Sequence, residues 1–288
     1  MRTSLLAAIP LALAPVFVAH GQSAHAAHAA HAAHAAHAAH AAHPAATAAV
    51  VGPIRNVVLV HGAYADGTSY AKVIPLLRAR GLRVTAVQNP LTSLAADVEA
   101  TRRALARQDG PVILVGHSSA GVVITEAGND PKVAGLVYIS AIVPDAGQSA
   151  IDAVQGYPPT PGGAEQPKDA SGYLTITRKG VMEDFVPDIP VAERELVFAT
   201  QGEWNSTFLT ERVTTAAWRT KPSWMIIPND RMVPRQHEVD AARRMHATTT
   251  VLTSGHVPML SQPERVAAVI LDAVANAGRR TVTASRSR

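Results

Sequence analysis

The chain has 288 residues, enough for one large or two small domains with a sizeable core, and its 47% hydrophobic and 17% charged content is that of a globular fold. It has no cysteine, which excludes a disulfide framework. The formal net charge of +4 is dispersed apart from four arginines in the closing "RRTVTASRSR"; with no Lys/Arg stripe interleaved with aromatics, a nucleic-acid partner is not expected.

At the amino end, Arg2 precedes an apolar run from Leu5 to Ala19 and then small residues. That is the layout of a secretory signal peptide over residues 1–23, with Ala19-His20-Gly21 and Ala24-His25-Ala26 as cleavage sites. The run is short and broken by Pro10 and Pro15, so no stable membrane span is expected after processing. The expected location is secreted or periplasmic. Residues 24–52 form a His/Ala-rich low-complexity arm with histidine at every third position: His25, His28, His31, His34, His37, His40 and His43. If helical, neighbouring imidazoles approach each other and could share a transition metal weakly. The alternative is a soluble linker. No carboxylate accompanies the repeat, so a catalytic metal is not expected.

From Pro53 to Gly278 apolar runs alternate with helical patterns. "RNVVLVHG" predicts a buried strand, "SYAKVIPLLRARG" a helix, "LRVTAV" a strand and "SLAADVEATRRALARQDG" a helix capped by Ser93. "PVILVG", "SAGVVITEAG" and "VAGLVYIS" predict strand, helix, strand. "SWMIIP", "RQHEVDAARRM", "TTTVL" and "PERVAAVILDAVANA" continue the alternation to the end. Strands separated by helices imply an α/β fold with a mostly parallel central sheet flanked by helices. Residues 142–221 break the pattern, with clustered Pro and Gly and seven of the twelve aromatics, and predict a lid inserted over the sheet. Tyr157, Trp204 and Phe208 are expected chiefly as lid core. The last ten residues, 279–288, predict a disordered basic tail.

The chemistry gathers around "LVGHSSAGVV". Ser118 falls at the turn between a predicted strand and helix, where its hydroxyl is exposed at the sheet edge beside a helix N-terminus. By residue usage, G-x-S-x-(G/A) arises by chance in about one chain in ten of this length, so the flanking elements carry the inference. A serine nucleophile needs a base, and the base needs a carboxylate. Asp230 follows "SWMIIPN" and His256 follows "TTTVLTSG", so both fall beyond the carboxyl ends of strands. Backbone N–H groups of Ser119 and of Ala63, after the first strand, are the expected oxyanion donors. His61 is expected to shape that loop rather than act as the base. His237, Glu238 and His246 lie in a helical pattern and are expected on the surface.

"VVLVHGAYADGTSY", "VILVGHSSAG", "PSWMIIPNDRMVP" and "SGHVPMLSQPERVAAVI" together resemble the α/β-hydrolase superfamily. Within it the likeness is to cofactor-free serine esterases related to plant methylesterases and hydroxynitrile lyases, and to non-heme haloperoxidase-like hydrolases. The resemblance covers about residues 54–277 and implies a Ser118–Asp230–His256 triad, oxyanion donors at Ala63 and Ser119, no cofactor, and an apolar small-molecule ester as substrate. Hydroxynitrile lyases of this group carry lysine after the catalytic histidine; here that residue is Val257, which argues against lyase activity. Serine rather than aspartate at 118 argues against epoxide hydrolase or dehalogenase chemistry. "SSAG" departs from the commoner aromatic-Gly-Gly, which points to an altered pocket floor. Two further readings stay open: perhydrolase or haloperoxidase-like activity from the same triad, and a metal-binding protein acting through the histidine arm.

Overall fold

The computed structural model describes residues 52–286, with side chains described through residue 278. The predicted signal peptide and the arm with His25 to His43 lie outside the described residues.

The domain opens with β1 (Asn56–Val60), a short 3-10 turn (Gly67–Tyr70), α1 (Ile74–Arg78), β2 (Arg83–Ala86), α2 (Leu94–Ala106), β3 (Val112–His117), α3 (Ala120–Ala127) and β4 (Val133–Ile139). The single helix expected over "SYAKVIPLLRARG" is therefore two pieces. Pro75 has no N–H to donate, and it is accommodated only in the first turn of α1. The region expected as a lid contains α4 (Ala150–Val154), β5 (Tyr173–Leu174), α5 (Arg178–Gly180), α6 (Val191–Ala199) and β6 (Trp204–Asn205). The chain then returns through β7 (Ser223–Ile227), α7 (Arg235–Arg244), β8 (Thr248–Val251), α8 (Pro258–Ser261) and α9 (Pro263–Arg286).

Six strands form one parallel sheet in the order β2-β1-β3-β4-β7-β8. Every residue of β1, β3, β4 and β7 is buried, as strands covered on both faces require. The outer strands β2 and β8 are partly exposed. Helices α1 and α9 pack together, with α9 also lying on β3, β4 and β7; α2 and α3 pack on each other and on the strands beside them. The short strands β5 and β6 pair separately as an antiparallel ribbon. Among the described residues no helix is long and apolar enough to cross a membrane.

Two expectations are corrected. Helix α9 stays helical to Arg286, through most of the stretch expected as a disordered tail. A helix already nucleated on the sheet propagates at little cost, and no Gly or Pro interrupts it after Gly278. His237 and Glu238 are buried rather than on the surface, at 1% and 0% exposure. The first turn of α7 packs inward because the Val143 N–H donates to His237 Nε2 (3.0 Å) and the Tyr157 ring meets the imidazole edge-on. Burial pushes His237 down to about 4, which keeps it neutral near pH 7, and pushes Glu238 well above the usual carboxylate range. His246 is exposed, as expected.

A third buried titratable group secures the turn after β2. Asp97 in the first turn of α2 accepts the Leu91 N–H (2.8 Å), and Leu91 itself has a φ of 59°. Burial pushes the Asp97 carboxyl up to about 7. An unfolded aspartate titrates near ~3.9, so the folded state holds the proton longer. Its contribution is complete below about pH 4 and is lost as the pH rises to about 7. In urea unfolding, the stability of the wild type relative to Asp97→Asn should decline across that window; parallel profiles would contradict this.

Candidate functional site

The parallel sheet places the loops that follow β1, β3, β7 and β8 at its carboxyl edge, and the site residues come from these four loops. Ser118 follows the last residue of β3 and has a φ of 57°, in the left-handed region that non-glycine residues seldom occupy. The turn is fixed from both sides. The Ser118 N–H donates to Ile139 O at the end of β4 (3.0 Å), and the Ser118 carbonyl accepts from Gly121 and Ile142 N–H (3.0 and 3.2 Å). Space is as tight as the hydrogen bonding. A Cβ on Gly62 would lie 2.7 Å from Ser118 Cβ and 2.8 Å from His117 O, and one on Gly116 would lie 2.7 Å from Ala120 O. Ala120, fully buried in the first turn of α3, is accommodated where a second glycine of the motif would stand.

Asp230 and His256 meet because the loops after β7 and β8 are zipped together. Leu252 N–H donates to Ile227 O (3.0 Å) and Asn229 N–H to Ser254 O (3.1 Å). Asp230 Oδ1 accepts the N–H groups of Met232 and Val233 (2.6 and 3.1 Å), leaving Oδ2 to accept from His256 Nδ1 at 2.7 Å. Both side chains are essentially inaccessible to water. The bond to Asp230 puts the proton on Nδ1 and makes Nε2 the free nitrogen. Nε2 is buried and has no hydrogen-bond partner among the described residues, Ser118 included. His117, the residue before Ser118, ties the two halves of the site together. Its Nε2–H donates to His256 O (3.0 Å) and the two rings lie 4.8 Å apart. Burial, with His256 and His61 nearby, holds His117 neutral.

The loop after β1 brings Ala63 to Ser119, in an arrangement the sequence did not anticipate. The Ala63 N–H donates to the Ser119 side-chain Oγ (2.8 Å). His61 spends both ring nitrogens on backbone: Nε2 accepts from Asn89 N–H (2.9 Å) and Nδ1–H donates to Gly62 O (2.9 Å). It holds the loop, as expected, and burial keeps it neutral.

The region expected as a lid reaches the same place. Arg231 Nε donates to Asp184 Oδ1 (2.6 Å), Gly255 N–H donates to Asp188 Oδ2 (2.8 Å), and the Phe185 ring packs 5.3 Å from that of His256. Phe185 and Asp188 were missed in the sequence, where only the Pro-rich "FVPDIP" marks them. A cavity of about 270 Å³ opens beside them, with walls that include Tyr64, Phe185, Ile189, Leu196, Val197 and Leu260, and with Val257 next to His256. Trp204 and Phe208 are buried and pack on each other (5.1 Å), and Tyr157 reaches Asp240 instead (3.1 Å). Among the described residues no cluster of three His, Cys, Asp or Glu side chains could hold a metal ion.

The fold that carries this site is shared with known proteins. The profile of the alpha/beta hydrolase family matches residues 57–269, and the chain belongs to that family. It is 25% identical over 244 residues to the alpha/beta hydrolase nvfD of Aspergillus novofumigatus, covering 77% of this chain and 97% of that one. A pyrethroid hydrolase of Sphingobium wenxiniae is 39% identical over 105 residues, 31% of this chain and 37% of that one. A solved pyrethroid hydrolase structure superimposes with a TM-score of 0.65 at 25% identity, covering 78% of this chain and 99% of the other.

The close approach of the β1 loop to Ser118 is directly testable. Gly62→Ala should lower stability by about 1–3 kcal/mol, because its contacts are backbone and a fixed Cβ rather than a movable side-chain end. An unchanged urea midpoint would contradict the geometry.

Proposed function

We propose that the protein is a serine hydrolase of carboxylic esters, with Ser118 as nucleophile, His256 as base and Asp230 as the group that orients it. The observation that carries this reading is the His256 imidazole. Its Nδ1–H is spent on the buried Asp230, which makes Nε2 the accepting nitrogen, buried and without a hydrogen-bond partner among the described residues beside the strained serine turn. A nitrogen in that state accepts a proton, and the neighbouring carboxylate stabilises the imidazolium that results.

In the first half-reaction Ser118 Oγ forms a bond to the ester carbonyl carbon while its proton passes to His256 Nε2. The carbonyl π electrons move onto oxygen, which the donors around Ala63 and Ser119 receive. Collapse of the tetrahedral species breaks the bond to the alkoxy oxygen, which leaves as the alcohol with the proton from His256. Water then attacks the acyl-enzyme with His256 again as base, and the carboxylic acid departs. The apolar walls of the adjoining cavity support an apolar acyl or alcohol group. The names of the relatives, a pyrethroid hydrolase and a carbendazim hydrolyzing esterase of Nocardioides, support hydrolysis of a small-molecule ester. The amino-terminal sequence supports export to a secreted or periplasmic location.

With a short p-nitrophenyl ester, Ser118→Ala should reduce turnover at least ~1000-fold, and Asp230→Asn, which leaves the wrong imidazole tautomer, by ~1000-fold or more. Retention of most activity in either variant would overturn the assignment of that residue.

A further inference from the structure

Ser119 carries a buried hydroxyl that the reaction as described does not use. It is 4% exposed, and its Oγ accepts the Ala63 N–H at 2.8 Å. The hydroxyl caps no helix: Ser119 stands at the head of α3 without a side-chain capping bond. No bond in which it donates is formed among the described residues, so a buried O–H has its acceptor side satisfied and its proton unspent.

The position of this oxygen matters. A distance of 2.8 Å from a backbone N–H is the distance at which an oxyanion sits from its donor. While the hydroxyl is in place, the one hydrogen of Ala63 N is taken. A substrate carbonyl entering between Ala63 and the Ser119 backbone therefore meets the Ser119 hydroxyl in front of the Ala63 amide. Swinging the hydroxyl aside would strip a buried N–H of its partner before the substrate could replace it, whereas keeping it in place costs nothing. An O–H that is itself accepting a hydrogen bond is also polarised, which makes it a stronger donor.

We propose, building on the serine-hydrolase reading above, that Ser119 is a catalytic residue whose hydroxyl donates to the substrate's carbonyl oxygen. The Ala63 N–H stands behind it as a relay, and the Ser119 N–H serves as the direct backbone donor. No bond to Ser119 is made or broken; it keeps its proton throughout. The aromatic residue that the resemblance leads one to expect at position 119 has no such hydroxyl, so the "SSAG" departure becomes a change in how the oxyanion is held.

The test compares the full-length wild type with Ser119→Ala and Ser119→Cys, using a p-nitrophenyl ester and an aryl trifluoromethyl ketone, which adds reversibly to a serine as an oxyanion-bearing hemiketal. A hydroxyl that bonds a developing negative charge acts more strongly in the transition state than on bound ester. In Ser119→Ala, kcat should fall about 10–100-fold with KM within about threefold, the Ala63 N–H now exposed limiting the loss. Affinity for the ketone should fall by a similar factor, and that for the matching ether, which forms no oxyanion, should not change. Ser119→Cys, close in size but a weak donor, should show the same loss. An unchanged or higher kcat and unchanged ketone affinity in both variants would mean that the hydroxyl only occludes Ala63, and would overturn the proposal while leaving the Ser118 reading intact. Failure of the ketone to inhibit the wild type at all would overturn both.

Discussion

The left-handed conformation of Ser118 is the constraint on which the site depends. A β-strand that runs straight into a helix can present one side chain clear of both only if the residue between them turns sharply, and here φ at that residue is 57°. For an L-residue this conformation costs about 1–2 kcal/mol. The surroundings hold it regardless, through three backbone hydrogen bonds: the Ser118 N–H donates to Ile139 O, and the Ser118 carbonyl accepts from Gly121 and Ile142. Small residues at 62, 116, 120 and 121 let the β1 loop, the turn and α3 crowd together. Strain sustained by its surroundings in this way is characteristic of functional positions.

Much of the remaining architecture brings partners to that turn. The sheet places four loops at one edge, and two backbone hydrogen bonds between the loops after β7 and β8 settle Asp230 against His256. The inserted region is fastened to the same two loops, by Asp184 to Arg231 and by Asp188 to the Gly255 amide. Gly255 is required there, since a Cβ would lie 2.7 Å from both Asp188 Oδ1 and Pro187 Cδ. The wall of the apolar cavity and the histidine are thus held by one set of contacts, with Phe185 belonging to both. A substitution that loosens residues 184–188 disturbs substrate binding and the imidazole together.

The fold was legible because its signal is local and repeated. Continuous apolar runs identified β1, β3, β4 and β7, whose burial on both faces forbids polar alternation. Ser118, Asp230 and His256 were singled out by their places just after predicted strands, and the structure brings Asp230 and His256 into contact. What escaped the sequence depends on tertiary contacts. His237 read as polar surface because its partners, Val143 and the Tyr157 ring, are 94 and 80 residues away in the chain, and Glu238 is buried beside it. Asp188 clasps a loop 67 residues distant. The Ser119 side chain meets Ala63 across 56 residues, and no periodicity encodes such a pairing. The division of the expected helix into a 3-10 turn and α1 was written in Pro75, a position that the helical pattern obscured.

The chain is an α/β hydrolase in which a strained serine, a histidine with one free nitrogen and a buried aspartate stand at the edge of a parallel sheet beside an apolar cavity. The central claim is that Ser118 carries the acyl group. Its most direct test is to treat the protein with an alkyl p-nitrophenyl phosphonate, digest it, and locate the adduct by tandem mass spectrometry. One phosphonyl group per chain on Ser118, formed in step with loss of esterase activity, is the predicted result. An adduct on another residue, or full activity with Ser118 unmodified after the reagent has been consumed, would contradict it.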